Sequence, residues 1–295
     1  MKIQWIPTNE IYHAIINAQT LSEKQALYRQ KVMHPWQQMM QMMSGQAINP
    51  DDEFAGARAW AWHTPDELDD IPQALTQLEV ADAWQLGENA LKKGVAAFAD
   101  YDLPFDTVEG WLMLGVPERN PSHESYTGAI DFTHPRFVCQ YFEPDEHNIK
   151  ALSGAVVHEF NHLVRLRVQP WDMMTTTVSD YIIHEGIAES FATALFGEEV
   201  LGYYVTDIND ADLAIAKQII SENLQMTGFN VIRGYIFGDH LAEQWGFEKI
   251  GMPNFGGYAV GFHVVQAFLK KTGMSVQEAT FLPAEQIIAE SGYFD

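Results

Sequence analysis

Residues 155–166 read AVVHEFNHLVRL, and within them His158-Glu159-Phe160-Asn161-His162 has the form H-E-x-x-H. On a helix running over residues 146–165, His158 and His162 stand four positions apart, one above the other on a single face. Two imidazoles so placed can grip one metal ion. Glu159 lies beside them, where its carboxylate can take a proton from a water that the metal activates.

The neighbouring sequence supports a helix. Pro144-Asp145-Glu146 forms a start signal, with acidic groups suited to the positive end of the helix dipole. Ile149, Leu152, Val156, Phe160 and Leu163 recur at steps of three and four and mark an apolar face, leaving the histidines on a second stripe. Gly154, one turn before His158, permits another backbone to come close. Pro170 closes the segment. Upstream lie three short β-like runs, at 111–116, 126–133 and 137–142, the first two separated by the turn-rich PERNPSHES. They predict a small sheet just before the histidine helix, whose second run could pair with an extended peptide. Downstream, residues 175–196 predict a second helix, capped by Ser or Thr and ended by Gly197. Glu185 and Glu189 share one face of it. Two carboxylates on a mostly apolar helix are costly unless a metal and a metal-bound histidine satisfy them.

Farther out, residues 8–43 predict a helix up to Gly45, with a capping box at Ser22 and Gln25 and an interruption at Pro35. Met39, Met40, Met42 and Met43 read as core filler. Trp60 and Trp62 alternate as in a short strand, and 72–98 reads as helix. Residues 209–227 predict a helix capped by Asn209 or Asp210, whereas 231–250 is ambiguous. Residues 257–271 predict a helix whose Gly257 and Gly261 favour close packing and which Gly273 stops. Ser275 and Glu278 form a capping box, and Pro283 opens a last short helix. The expectation is an α+β fold, predominantly helical, with a mainly helical N-terminal lobe over 1–105 and a second region over 106–295 that carries the histidines.

The net charge of −23, from 17 basic and 40 acidic residues, argues against a nucleic-acid or anionic-membrane surface, which needs a positive field. A single cysteine, Cys139, allows no intrachain disulfide and no cysteine-rich zinc site, and reads as a buried inert thiol. The first residues show no signal-peptide pattern, and no stretch reaches the length of apolar residues needed to span a bilayer. A reducing cytoplasm is the expected location.

A catalytic zinc takes three protein ligands and leaves a position open. The metzincin continuation H-E-x-x-H-x-x-G-x-x-H is absent, because positions 165 and 168 are Arg165 and Val168. The best remaining third ligand is Glu185, on the second helix. Here the chain resembles the gluzincin metallopeptidases, whose second motif is a glutamate on the following helix. His184-Glu185-Gly186-Ile187-Ala188-Glu189 looks like their N-E-G-x-A element, with His184 in place of Asn. More closely, YRQKVMHPW, VVHEFNHLVR, HEGIAESFA, GGYAVGFHVVQAFL and LPAEQIIAESG resemble a bacterial family of predicted zinc-dependent proteases long described as of unknown function.

That resemblance implies a zincin-like fold with its sheet next to the H-E-x-x-H helix, and zinc-dependent hydrolysis of peptide or protein substrates. It implies Zn²⁺ held by His158, His162 and Glu185, with Glu159 as general base and Glu189 orienting one of the histidines. Related enzymes supply a Tyr or His from farther along the chain to the oxyanion, for which Tyr258 and His263 are the candidates. His184 points away from Glu185's direction and reads as no ligand. His123, His134 and His147 read as loop or cap residues, and Arg165 and Arg167 as partners of local acids. The alternative is a catalytically silent zincin scaffold acting as a peptide-binding or regulatory module.

Overall fold

The computed structural model describes residues 1–44, 52–68, 71–120 and 124–295; the expectations for Gly45 and His123, and for the side chains of Met43 and His147, lie outside the described residues. The fold is α+β and predominantly helical, with one four-stranded sheet. Its contacts form two compact units, one of residues 1–92 and 105–152, the other of 93–104 and 153–295. The sheet groups with the N-terminal helices.

In the first unit the strands are β1 (Lys2–Trp5), β2 (Thr107–Leu114), β3 (Tyr126–Ile130) and β4 (Arg136–Tyr141), in the order β1-β2-β4-β3. β2 is parallel to β1 and β4, and β3 pairs antiparallel with β4 at the sheet's edge. β2 is internal, and Trp111 to Leu114 are all buried, as a strand covered on both faces requires. β1 is absent from the sequence reading, since its partner lies a hundred residues away and no turn announces the pairing.

The single long helix expected over 8–43 is instead Thr8–Ile16, Leu21–Tyr28 and His34–Ser44, with a π-helical turn at Arg29–Met33. The capping box belongs to Thr20 and Glu23, not to Ser22 and Gln25. A wider π turn directly before Pro35 lets the chain absorb a residue that lacks an amide hydrogen. Trp60 and Trp62 form no strand: Trp62 makes one isolated bridge to Gly115, and both rings pack with Trp36 in a tryptophan cluster. The helix expected over 72–98 is broken into Pro72–Val80 and Ala83–Ala97, with Asp82 in the left-handed region at φ 53°.

In the second unit, three long helices matter most: the His158 helix (Leu152–Val168), the Glu185 helix (Val178–Phe196) and the Tyr258 helix (Gly256–Thr272). The first begins only after Ala151, because Glu146–Lys150 is a separate short helix capped by Asp145. It shows no exposed stripe: residues 156–166 are buried all round. Phe160 and Val157 pack against Gly94, and Phe98 sits among Phe160, Phe191 and Phe281. Gly154 meets Val200, as its small size anticipates. Gly186 and Gly261 bring two helix backbones together: a Cβ on Gly261 would lie 2.0 Å from the Ile182 carbonyl oxygen. Gly257 faces Ile236 instead. The ambiguous stretch resolves into helices Phe229–Phe237 and Asp239–Trp245. Among the described residues no helix is long and apolar enough to cross a membrane.

Candidate metal centre

Thr177 caps the Glu185 helix. Its hydroxyl accepts from the Asp180 amide at 3.0 Å, while Asp180 Oδ2 accepts from the Thr177 amide at 3.0 Å. Gly197, at φ 91°, ends it. Two turns into this helix Glu185 faces His158 and His162. Its Oε2 lies 3.3 Å from His158 Nε2 and 3.2 Å from His162 Nε2. Glu189, one turn later, accepts from His158 Nδ1 at 3.0 Å. All five residues, Glu159 included, are buried.

Glu189 is itself held in place. The Gly202 amide donates to its Oε1 at 2.6 Å and the Tyr204 hydroxyl to its Oε2 at 2.7 Å, with that hydroxyl also 3.3 Å from His158 Nδ1. Sequence reading missed Tyr204 and Gly202. They lie on a connection and a short helix where no periodicity or motif marks them. His162 is set differently. Its ring stacks on His184 at 4.1 Å and stands edge-on to His158 at 4.6 Å, and its Nδ1 has no hydrogen-bond partner among the described residues. His184 therefore touches a ring of the cluster, through its face rather than a ring nitrogen.

The donor set fits a zinc ion. In a tetrahedral site with bonds of about 2.0–2.1 Å, neighbouring ligand atoms stand about 3.3 Å apart. That is the spacing between Glu185 Oε2 and each Nε2. Three carboxylates and two imidazoles buried together also need a positive charge, since like charges out of water repel strongly. His158, Glu159 and His162 can bring donor atoms within 4.8 Å of one another, so a second carboxylate borders the same space. Among the described residues only Glu185 touches both Nε2 atoms, whereas the Glu159 side chain makes no hydrogen bond.

The electrostatics follow this arrangement. Burial pulls His158 down, but Glu185 and Glu189 outweigh it and raise its pKa to about 10. Burial pushes Glu185 up, yet the facing His162 and His158 hold it well below the usual carboxylate range. Glu159 is raised by burial, with His162 and His158 partly offsetting. His184 is held well below the usual histidine range, chiefly by burial.

Tyr258 stands one ring beyond this core, against Tyr204 at 4.7 Å. Burial holds its hydroxyl protonated, with its pKa well above the usual value. His263 lies elsewhere, beside Phe262 and stacked on Tyr293 at 6.4 Å. Among the described residues Arg165 pairs with no acid: it is buried and donates to the carbonyls of Thr280 at 2.9 Å and Leu282 at 3.1 Å. Asn161, an unspecified position of the motif, donates to Thr280 Oγ1 at 3.1 Å. Both tie the helix to the segment around Thr280.

Residues 83–289 match the family described as Predicted Zn-dependent protease (DUF2268). Two proteins of Bacillus subtilis (strain 168) are similar to the chain. The uncharacterized protein YjfC is 29% identical over 279 residues, covering 92% of each chain. The uncharacterized protein YjaZ is 27% identical over 181 residues, covering 60% of this chain and 65% of its own. No solved structure matches. The chain belongs to the family of predicted Zn-dependent proteases.

Proposed function

We propose that this member of the predicted Zn-dependent protease family hydrolyses peptide bonds with a gluzincin-type centre in which His158, His162 and Glu185 hold Zn²⁺. One observation carries the reading: both Nε2 atoms face a single oxygen of Glu185, at 3.3 and 3.2 Å. Zinc bound there supplies Lewis-acid polarisation of a carbonyl and lowers the pKa of a water. Glu159, buried beside the ligands and free of hydrogen bonds among the described residues, takes the water's proton as the oxygen adds to the carbonyl carbon. It then gives that proton to the leaving nitrogen as the C–N bond breaks. Glu189, supported by Tyr204 and the Gly202 amide, accepts from His158 Nδ1 and so keeps Nε2 turned toward the metal. Of the two oxyanion candidates we favour Tyr258, a protonated phenol against Tyr204, over His263. The machinery so assigned falls within residues 106–295. Its proposed setting is a reducing cytoplasm, in keeping with a chain whose one cysteine forms no intrachain disulfide.

Purified protein is expected to carry one zinc per chain by elemental analysis and to cleave members of a diverse peptide library until a chelator is added. Glu159→Gln should keep the zinc and lose the cleavage. Absence of stoichiometric zinc, or cleavage that survives Glu159→Gln, contradicts the assignment. Zinc retained with tight peptide binding and no turnover points to the silent-scaffold alternative.

A further inference from the structure

The helix Phe229–Phe237 carries Arg233 into a ring of aromatic side chains. Its guanidinium carbon lies 5.0 Å from the centre of Phe229, 5.5 Å from Phe237, 4.2 Å from Trp245 and 4.8 Å from Phe247. Such contacts attract the cation through the ring quadrupoles but accept none of its five N–H groups in the plane of the fork. Among the described residues nothing accepts a hydrogen bond from Arg233 and no carboxylate pairs with it.

In a chain with 40 acidic residues against 17 basic ones, five of the seven arginines reach an acceptor, and two, Arg167 and Arg233, reach none among the described residues. Arg29, Arg58 and Arg119 each reach a carboxylate. Arg136 lies between Glu109 and Asp131. Arg165, which also lacks a carboxylate, donates to two carbonyls. Arg233 is partly buried and has neither, and four aromatic rings surround it, as they do no other arginine among the described residues.

Its position connects it to the metal centre. Ring contacts trace the connection. Phe237 lies 5.7 Å from Tyr258 and 6.2 Å from Tyr181, and Tyr258 packs on the Tyr204 that bonds Glu189.

We propose that Arg233 is a specificity-determining residue of this site and binds a carboxylate of the peptide substrate as a bidentate pair. The proposal rests on the reading of the site as a peptidase centre. The guanidinium fork matches a carboxylate in charge and shape. A chain of net charge −23 repels acidic ligands in general, so a local cation is what lets one dock. The carboxylate comes either from the peptide's C-terminus or from an Asp or Glu side chain.

The test is binding to zinc-loaded Glu159→Gln protein, followed by fluorescence anisotropy. Three pools of labelled octapeptides, built otherwise from uncharged residues, serve as probes: one with a free C-terminal acid, one amidated, and one amidated but carrying a single glutamate. The acid-bearing pool that matches the site should bind about tenfold to hundredfold more tightly than the neutral amidated pool. Preference for the first pool identifies the C-terminal carboxylate, and preference for the third identifies an acidic side chain. Arg233→Gln should abolish the preference. Arg233→Lys, which keeps the charge but loses the fork, should retain only part of it and serves if Arg233→Gln does not fold, with zinc content and circular dichroism reporting folding. Equal binding of all pools, binding of none, or a preference unchanged in both variants overturns the proposal. Wild-type protein that binds acids through Arg233 yet cleaves nothing would overturn the peptidase reading alone. Wild-type protein that cleaves acid and amidated pools equally, with no binding preference, would overturn the role of Arg233 alone.

Discussion

Three donors converge on the Glu189 carboxylate: the Gly202 amide, the Tyr204 hydroxyl and His158 Nδ1. A carboxylate so held orients His158 and turns its other nitrogen toward Glu185, as the proposed metal centre requires. Tyr204→Phe removes one donor without opening a cavity. It is expected to weaken zinc binding by about tenfold, in line with the effect of partners that orient metal ligands, while the fold persists. Competition with a chromophoric chelator measures this, and unchanged affinity would reduce Tyr204 to a packing role. Glu185→Ala should lower zinc content sharply, because it removes the oxygen that faces both Nε2 atoms. Full zinc stoichiometry in that variant would transfer the third-ligand role to Glu159.

Helices bring these residues together, and two glycines fix the spacing. Gly261 approaches the Ile182 carbonyl so closely that a methyl group has no room, and Gly186 meets the Gly261 carbonyl in the same way. In an exposed helix Gly→Ala stabilises by about 1 kcal/mol. Here Gly261→Ala is expected to destabilise by about 1–3 kcal/mol, the usual cost of overpacking, and to lower zinc affinity by shifting the Glu185 helix. Urea midpoints and zinc titrations report the two effects. A neutral or stabilising result would mean that the contact between these helices is looser than the structure has it. A second ion pair, Arg119 with Glu67, tests the first unit. Burial pushes Glu67 up, but bonds from Arg119 and from the Thr64 amide and hydroxyl pull it down to about 2. The folded pKa is depressed, so this contribution to stability is complete above the ordinary carboxylate range, about 4.3, and is lost as the pH falls toward 2. Glu67→Gln should cost about 1 kcal/mol at pH 7 and nothing near pH 2. A cost independent of pH would exclude the ion pair as its source.

For the whole molecule, the proposed metal at a buried cluster of three carboxylates and two imidazoles would couple folding to the ion. A ligand that binds only the native state stabilises it, by about 4 kcal/mol at a thousandfold excess over its dissociation constant. Chelator-stripped protein is therefore expected to melt several degrees lower than zinc-loaded protein, and readdition of zinc should restore the midpoint. Identical melting curves would mean that the cluster is stable without a cation. The tertiary contacts also group residues 93–104 with the unit that carries the His158 helix, because Gly94 and Phe98 pack on that helix and its neighbours.

Local chemistry carried much of this into the sequence. Spacing put His158 and His162 on one helix face. Gly197, Ser275 and Gly273 marked helix ends, because caps depend on side chains within a few residues of the end. The carboxylates of Glu185 and Glu189 were conspicuous because burying charge is expensive. What the sequence could not determine depends on distant partners. β1 pairs across a hundred residues, Tyr204 reaches Glu189 from a separate short helix, and His184 stacks on His162 only because two helices pack side by side. Arg233 belongs with these. In the sequence it is one basic residue among 17, and only the folded chain shows four aromatic rings around it and, among the described residues, no acid paired with it.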